Sequence, residues 1–392
     1  MSRPRSSPAL LLALLLGIAA CGSPVDAGDG GAADGSADAG PGDAGGEDGG
    51  VGDAGQSDGG ESDAGLPDGG GSDGGSTDGG ESDGGAPDGG DADGGSTDGG
   101  GGGPTPPALP TYSGGVCPTL NPGPDRSGAV NTGFGSSGDA REFRLVVPTT
   151  HDPANPAGLV IGWHWLNASS GSFYDDGEVA TAAEATGMIF ALLDRLETSG
   201  NKAYQFDWPF VETWGAEKEV VFHEDVIACV GEQFGVDPAK IHGMGVSAGG
   251  LWLTYLSTLP AIDRFATVVP ISGGLGADPL GFWAMQYAPQ ANKFPAVVVW
   301  GGPTDNLVAV DFHAASQAYR DALIADGHFV VTCMHDAGHA VPPMDPPPGE
   351  TMFHVLWTFM QDHPWGTPAG TSPYQATGLS AGWPDWCQIA TP

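Results

Sequence analysis

The chain has 392 residues, with 49 acidic side chains against 12 basic ones and a formal net charge of −37 at pH 7. A surface of that sign excludes nucleic acid and anionic membrane surfaces as docking partners. Composition is uneven along the chain, so it divides into three segments before any element is assigned.

Residues 1–21 open with Arg3 and Arg5 and then run apolar over residues 9–20. A dozen apolar residues are too few to span a bilayer and fit a secretory signal. The run ends Ile18-Ala19-Ala20-Cys21, which resembles the lipobox of bacterial lipoproteins. That resemblance implies a lipidated Cys21 and a place in the cell envelope. Ser23 rather than aspartate stands at the second position after it, which by the same resemblance permits transport to the outer membrane or cell surface. Several acyl chains on one cysteine suffice for stable anchoring.

Residues 22–110 contain 20 acidic residues and no Lys or Arg, in Gly/Asp/Ser repeats with a period near ten. The repeats offer no apolar face to bury, and their charges repel, so the segment reads as a disordered linker. They lack the spacing and the closing glutamate of a calcium-binding loop. A flexible chain of this length holds the C-terminal domain on the order of 50 Å from the membrane.

Residues 111–392 carry 29 acidic and 10 basic residues, a length suited to one α/β domain with a large core. Residues 142–148 alternate like a strand, and 158–165 form a short apolar run bounded by turn residues. A helix-like segment at 177–187 leads into a buried strand at 188–194. Residues 217–234 read as a long amphipathic helix. A strand at 240–246 and a helix at 248–259 come next, then buried strands at 265–272 and 294–301. A helix at 311–327, a strand at 328–336 and a last helix at 351–363 close the series. Apolar strands alternating with helices predict a mostly parallel sheet covered on both faces.

Gly245-Val246-Ser247-Ala248-Gly249 is a G-x-S-x-G sequence between a predicted strand and a predicted helix. That is the setting of a nucleophile elbow, where a strained turn presents a serine above the sheet. The adjoining helix N-terminus favours negative charge developing there. A serine nucleophile needs a base, and the base needs a carboxylate. Asp305 lies in a loop just after the strand 294–301, and His339 in a loop just after the strand 328–336. The order Ser247, Asp305, His339 is that of the α/β-hydrolase fold. Asp311 reads as a helix N-cap instead, and Asp336 as a turn residue. His335 falls nearer the strand than His339, and His242 is expected to be structural.

Apart from Cys21 there are four cysteines, Cys117, Cys229, Cys333 and Cys387. An even count in an exported chain suggests two disulfides, for which three connectivities exist. Cys117 and Cys387 lie near the two ends of the domain. Pairing them would tie both ends down and leave Cys229 with Cys333.

Over residues 117–365 the chain resembles the polyhydroxybutyrate depolymerase and feruloyl esterase group of α/β hydrolases. The resemblance rests on the early cysteine segment, the strand running into His164, the elbow GMGVSAGG, the segment WGGPTDNLV and the loop DAGHAVPP. It implies hydrolysis of carboxylic esters through an acyl-enzyme, with Ser247, Asp305 and His339 catalytic. It implies no metal and no organic cofactor. The expected partners are an ester substrate, polymeric or attached to a polysaccharide, and the membrane through the lipid alone; a monomer is expected. Carried over residue by residue, the oxyanion donors are the backbone N–H groups of Leu166 and Ala248. Where the family has glycine after the histidine, this chain has Trp165. A shifted loop would make the Trp165 N–H the donor and leave a slow enzyme or an inactive binding homologue. A serine peptidase on the same fold is the other alternative. His164 is expected to buttress this loop. Trp163, Trp165, Trp208, Trp214, Trp365, Trp383 and Trp386 fall in predicted loops as candidate stacking surfaces, and residues 205–215 as a lid or pocket wall.

Overall fold

The computed structural model describes residues 104–212, 214–276, 285–307 and 310–391. Residues 1–103, with the expected leader, Cys21 and most of the acidic segment, lie outside the described residues. Nine strands form one sheet: β1 (Ala129–Ser136), β2 (Asp139–Val146), β3 (Ala157–Trp163), β4 (Ile189–Leu193), β5 (Val236–Val246), β6 (Thr267–Ile271), β7 (Ala296–Trp300), β8 (Val330–Met334) and β9 (Cys387–Ile389). Their spatial order is β1-β2-β4-β3-β5-β6-β7-β8-β9. The strands from β4 through β8 run parallel, while β1, β2 and β9 pair antiparallel with their neighbours.

The central strands are apolar because both of their faces are covered. Along β3, Leu159, Ile161 and Trp163 enter one core cluster and Val160 the other. Along β7, Ala296, Val298 and Trp300 alternate in the same way with Val297 and Val299. Helices α3 (Ala216–Phe234), α4 (Ala248–Leu256) and α5 (Phe312–Ala325) bury Phe222, Trp252 and Tyr319 in the first cluster. Helices α1 (Ser170–Asp176), α2 (Val179–Thr186) and α6 (His354–Asp362) bury Phe173, Val179 and Trp357 in the second. Period-2 strands between two helical layers thus account for both apolar faces.

The expected disulfides are corrected. Cys117 bonds Cys229, and Cys333 bonds Cys387. Neither Cys117–Cys387 nor Cys229–Cys333 exists. The segment around Cys117 runs along α3: Ser113 N–H and Oγ donate to Asp225, and the Leu120 N–H donates to Gln233. Cys387 belongs to β9, where it stands opposite Cys333 in register. β9 is the sheet edge furthest from β1, and strands are spaced about 4.8 Å apart, far beyond disulfide reach across the sheet. Nearness to the two ends of the sequence did not mean nearness in space.

The order of β3, β4 and β5 positions the site. From β3 the chain goes to β4 on one side, then returns to β5 on the other side of β3. Loops leaving the C-terminal ends of β3 and β5 therefore diverge at a topological switch point, the crevice where open α/β sheets bind ligands. Trp163 at the end of β3 is paired with Gly245 of β5. The loop 164–168 and the bend at Ser247 thus leave the sheet side by side.

Candidate active site

β5 ends at Val246 and α4 begins at Ala248, which leaves Ser247 alone in the bend. Its backbone has φ 53° and ψ −113°. A non-glycine residue held there costs on the order of 1–3 kcal/mol and persists only where its surroundings fix it. The Ser247 N–H donates to the Ile271 carbonyl at 2.8 Å, and the Ser247 carbonyl accepts from the Leu251 N–H at 2.8 Å. Close packing does the rest. A Cβ on Gly245 would lie 2.2 Å from the Gly249 carbonyl oxygen, and one on Gly249 would lie 2.2 Å from that of Trp163. Glycine at both positions is what lets the strand, the bend and β3 come together.

The Ser247 Oγ lies 2.9 Å from Nε2 of His339. On the other side of the ring, Nδ1 lies 2.6 Å from Asp305 Oδ1. A carboxylate accepts, so Nδ1 carries the hydrogen and Nε2 is left to accept the serine hydroxyl proton. Asp305 is fully buried, and its second oxygen accepts from Ser272 Oγ and from the Gly301 N–H, both at 2.8 Å. Three donors thus hold one buried carboxylate. Ser247, Asp305 and His339, chosen separately along the sequence, are brought together in one hydrogen-bonded line.

Each group is delivered by a strand end. Asp305 comes after β7 and a single 3₁₀ turn at Gly302–Thr304, closed by the Asp305 N–H on the Gly302 carbonyl at 2.9 Å. His339 comes after β8, and its loop is tied back where the Gly338 N–H meets the Gly301 carbonyl at 3.2 Å. A Cβ on Gly301 would lie 1.8 Å from the Gly338 carbonyl oxygen, so the loops carrying Asp305 and His339 meet backbone to backbone where only glycine fits. Phe312, the first residue of α5, stacks on the His339 ring with centroids 4.4 Å apart. Ser272, the Gly301 N–H and Phe312 were not foreseen from sequence. A serine followed by two glycines at the end of β6 was the one available signal.

The rivals take other parts. Asp311 caps α5, accepting from the Ala314 N–H at 2.9 Å. Asp336 is exposed. His335 is buried against Trp386, and its Nδ1 accepts from the Ala337 N–H at 3.2 Å. Burial lowers its pKa, against the pull of Asp305 and Asp336, so it is a neutral turn-holding group. His242 is fully buried within β5, five residues before Ser247, with Nδ1 at 2.9 Å from Thr267 Oγ1. Burial, with the charges of His363 and Lys240, pushes it down to about 3.

The loop after β3 differs from a flexible turn. The Ala168 N–H donates to the Trp165 carbonyl at 3.1 Å, and Asn167 sits at φ 61°. That is a tight turn whose third residue takes the left-handed region that Asn tolerates. Among the described residues, no internal hydrogen bond leaves the backbone N–H of Trp165, Leu166 or Ala248. The two expected oxyanion donors and the alternative at Trp165 are all unspent. Trp165 is half-buried, packing its ring against the second core cluster.

Three of the seven candidate tryptophans are core residues rather than loop surfaces, which corrects the expectation for them. Trp163 ends β3 and is fully buried, as is Trp208, and Trp383 is buried too. Trp365 and Trp386 are half-buried, and Trp214 is exposed. Within residues 205–212, Trp208 and Phe210 pack into the first core cluster, so this stretch is a packed wall.

No family model matches the sequence, and no curated protein does. Among solved structures, native sOPH superposes with a TM-score of 0.55 at 19% identity, covering 72% of this chain and 98% of that one. A serine-to-alanine variant of pOPH in complex with pNPB gives 0.54 at 15% identity, with 71% and 96% covered. An S-formylglutathione hydrolase from Agrobacterium tumefaciens overlaps less closely, at 0.42 and 15% identity over 60% and 92%. Strand order and the first two likenesses agree: the chain has the α/β-hydrolase fold.

Proposed function

We propose that the chain is a serine esterase, hydrolysing carboxylic esters through an acyl-enzyme. The observation that carries this reading is the line Ser247 Oγ, His339 Nε2, His339 Nδ1, Asp305 Oδ1, with separations of 2.9 and 2.6 Å, set at a strained bend. In the reaction, Ser247 Oγ attacks the ester carbonyl while His339 Nε2 takes its proton. Asp305 holds the imidazole tautomer and stabilises the imidazolium that forms. The oxyanion is received by the N–H groups of Leu166 and Ala248, each such donor being worth roughly 3 kcal/mol in the transition state. His339 gives its proton to the departing alcohol. Water then repeats the cycle: His339 deprotonates it, it attacks the acyl carbon, and Ser247 leaves with the proton returned.

The substrate class we propose is an external ester, either a polyhydroxyalkanoate-like polymer or feruloyl and acetyl groups on a polysaccharide. Its support is the sequence resemblance together with the secretory leader and Cys21, by which the enzyme would be held at the cell envelope. The acidic segment would serve as its stalk.

The test monitors nitrophenol release from short-chain acyl esters by the full chain and by Ser247→Ala. Hydrolysis by the parent, reduced about 10⁴-fold or more in the variant, is the expected result. A panel of hydroxybutyrate, feruloyl and acetyl esters then separates the substrate classes. Equal rates in parent and variant would remove Ser247 from the chemistry.

A further inference from the structure

The loop that offers Leu166 is short, carries a bulky Trp165, and leaves two backbone donors unspent. Something must hold it, and the structure shows what does. The Trp208 indole N–H donates to the His164 carbonyl at 2.9 Å, and the two rings lie 5.0 Å apart. The His164 Nδ1–H donates in turn to the Trp165 carbonyl at 2.7 Å. Asp207 Oδ2 accepts from the Asn167 N–H at 2.5 Å. Arg195 Nη1 donates to the Ala168 carbonyl at 3.0 Å. Four of the five loop residues are therefore tied by side chains through their main-chain atoms. Leu166, in the middle, is the one left over.

Asp207 and Trp208 are both fully buried, and they are neighbours in sequence. Asp207 itself takes a left-handed backbone, φ 69°, which turns its carboxylate and the following indole onto the same loop. Its other oxygen pairs with Lys202 at 3.1 Å, and the Lys202 ammonium also donates to the Asn167 side chain at 2.5 Å. Arg195 lies 3.9 Å from the same carboxylate oxygen. A buried carboxylate is costly unless paired, so Asp207 has one low-energy arrangement, with the loop in its grip. This is what a preorganised donor requires, because an N–H that must reorient during reaction stabilises an oxyanion far less.

We propose that Asp207 and Trp208 are positioning residues that clamp the loop 164–168 and so aim the Leu166 N–H at the oxyanion formed on Ser247. The clamp takes the place of the small residue that the loop lacks at Trp165. Neither residue touches substrate. The inference rests on the esterase reading for its kinetic consequence, but not for the clamp itself.

The experiment uses the full chain with Trp208→Phe, which keeps the ring and removes the N–H, and Asp207→Ala beside the milder Asp207→Asn. In Trp208→Phe and Asp207→Ala, kcat for a nitrophenyl ester is expected to fall tenfold to a hundredfold with KM within about threefold. Asp207→Asn, which keeps an acceptor for the Asn167 N–H, recovers part of that loss. The inhibition constant for phenylboronic acid, whose serine adduct carries a tetrahedral oxygen, rises in parallel with the fall in kcat. A merely structural role would lower the unfolding temperature without that parallel. Should Asp207→Ala fail to fold, Trp208→Phe and Asp207→Asn decide the matter. Hydrogen exchange over residues 164–168 is read in the same variants and is expected to quicken at least tenfold. Unchanged exchange overturns the clamp even if the parent hydrolyses no ester. Quickened exchange with unchanged kcat in an active parent overturns its role in catalysis. A parent that is inactive and matches Ser247→Ala overturns the esterase reading instead, and exchange still judges the clamp.

Discussion

Two bends flank the switch point, and they are held by different means. The bend at Ser247 is fixed locally: at Gly245 and Gly249 a Cβ would lie only 2.2 Å from a neighbouring carbonyl oxygen, so only glycine permits the backbones to meet, and the Ile271 carbonyl on the adjacent strand accepts the Ser247 N–H. The loop 164–168 is fixed from afar, by side chains that come up to 44 residues later in the chain. One bend is held by the absence of side chains and the other by their presence. A motif can announce the first kind, because its glycines sit beside the serine they serve. Only His164, which bonds the Trp165 carbonyl beside it, is a local sign of the second; its distant partners are not.

The sharpest way to break this contrast is Gly249→Ala. A methyl group there meets the Trp163 carbonyl and forces the end of β3 away from the bend, moving the proposed oxyanion donors, the Leu166 and Ala248 N–H groups, apart. We expect esterase activity to fall a hundredfold or more and stability to fall by about 2–3 kcal/mol, measured by hydrolysis rates and urea unfolding. Full activity in Gly249→Ala would mean that the close approach of β3 and the bend does not matter to the site.

A smaller effect is expected at Asp305, the proposed triad carboxylate. Ser272→Ala removes one of the three donors on Asp305 without touching Ser247 or His339. The loss of one hydrogen bond to a charged group, worth about 1.5–3 kcal/mol, predicts a fall in kcat of roughly tenfold to a hundredfold with the fold intact. A variant as fast as the parent would show that the Gly301 N–H suffices alone.

The smallest effect is on stability and concerns His242, buried within β5. Burial holds its folded pKa near 3, against about 6.5 in an unfolded chain. Between those values the unfolded state binds a proton that the folded state does not. Stability therefore falls as pH drops below about 6.5, at up to about 1.4 kcal/mol per pH unit from this group. Burial lowers His164, His328, His335 and His363 in the same direction. Urea unfolding between pH 7 and 5 should show this slope, and His242→Gln should flatten it. Equal slopes in parent and variant would mean that His242 is protonated in the folded protein.

The contrast also explains what was legible in the sequence. The central strands were readable because burial on both faces makes them continuous apolar runs, and Ser247, Asp305 and His339 each stand just past one of them. β1, with Asn131, Thr132 and two glycines among eight residues, hides its single buried face. β9 is three residues long and was missed altogether, and with it the pairing of Cys387 to Cys333. Asp207 lies in the stretch 205–215 expected as a lid or pocket wall, and nothing there marks its bond to Asn167, 40 residues earlier. Ser272 reaches Asp305 across 33 residues, from the end of β6 to the loop after β7. Local patterns place groups at strand ends; which groups meet across the ends is decided by sheet order.

The most direct measurement is to trap the acyl-enzyme. The full chain is mixed with a nitrophenyl ester, quenched in acid within one turnover, digested and weighed by mass spectrometry. The account predicts an acyl group on the peptide containing Ser247, absent in Ser247→Ala and accumulating in step with the burst of nitrophenol. Turnover with no acyl group on that peptide, or an acyl group that persists elsewhere in Ser247→Ala, would contradict it.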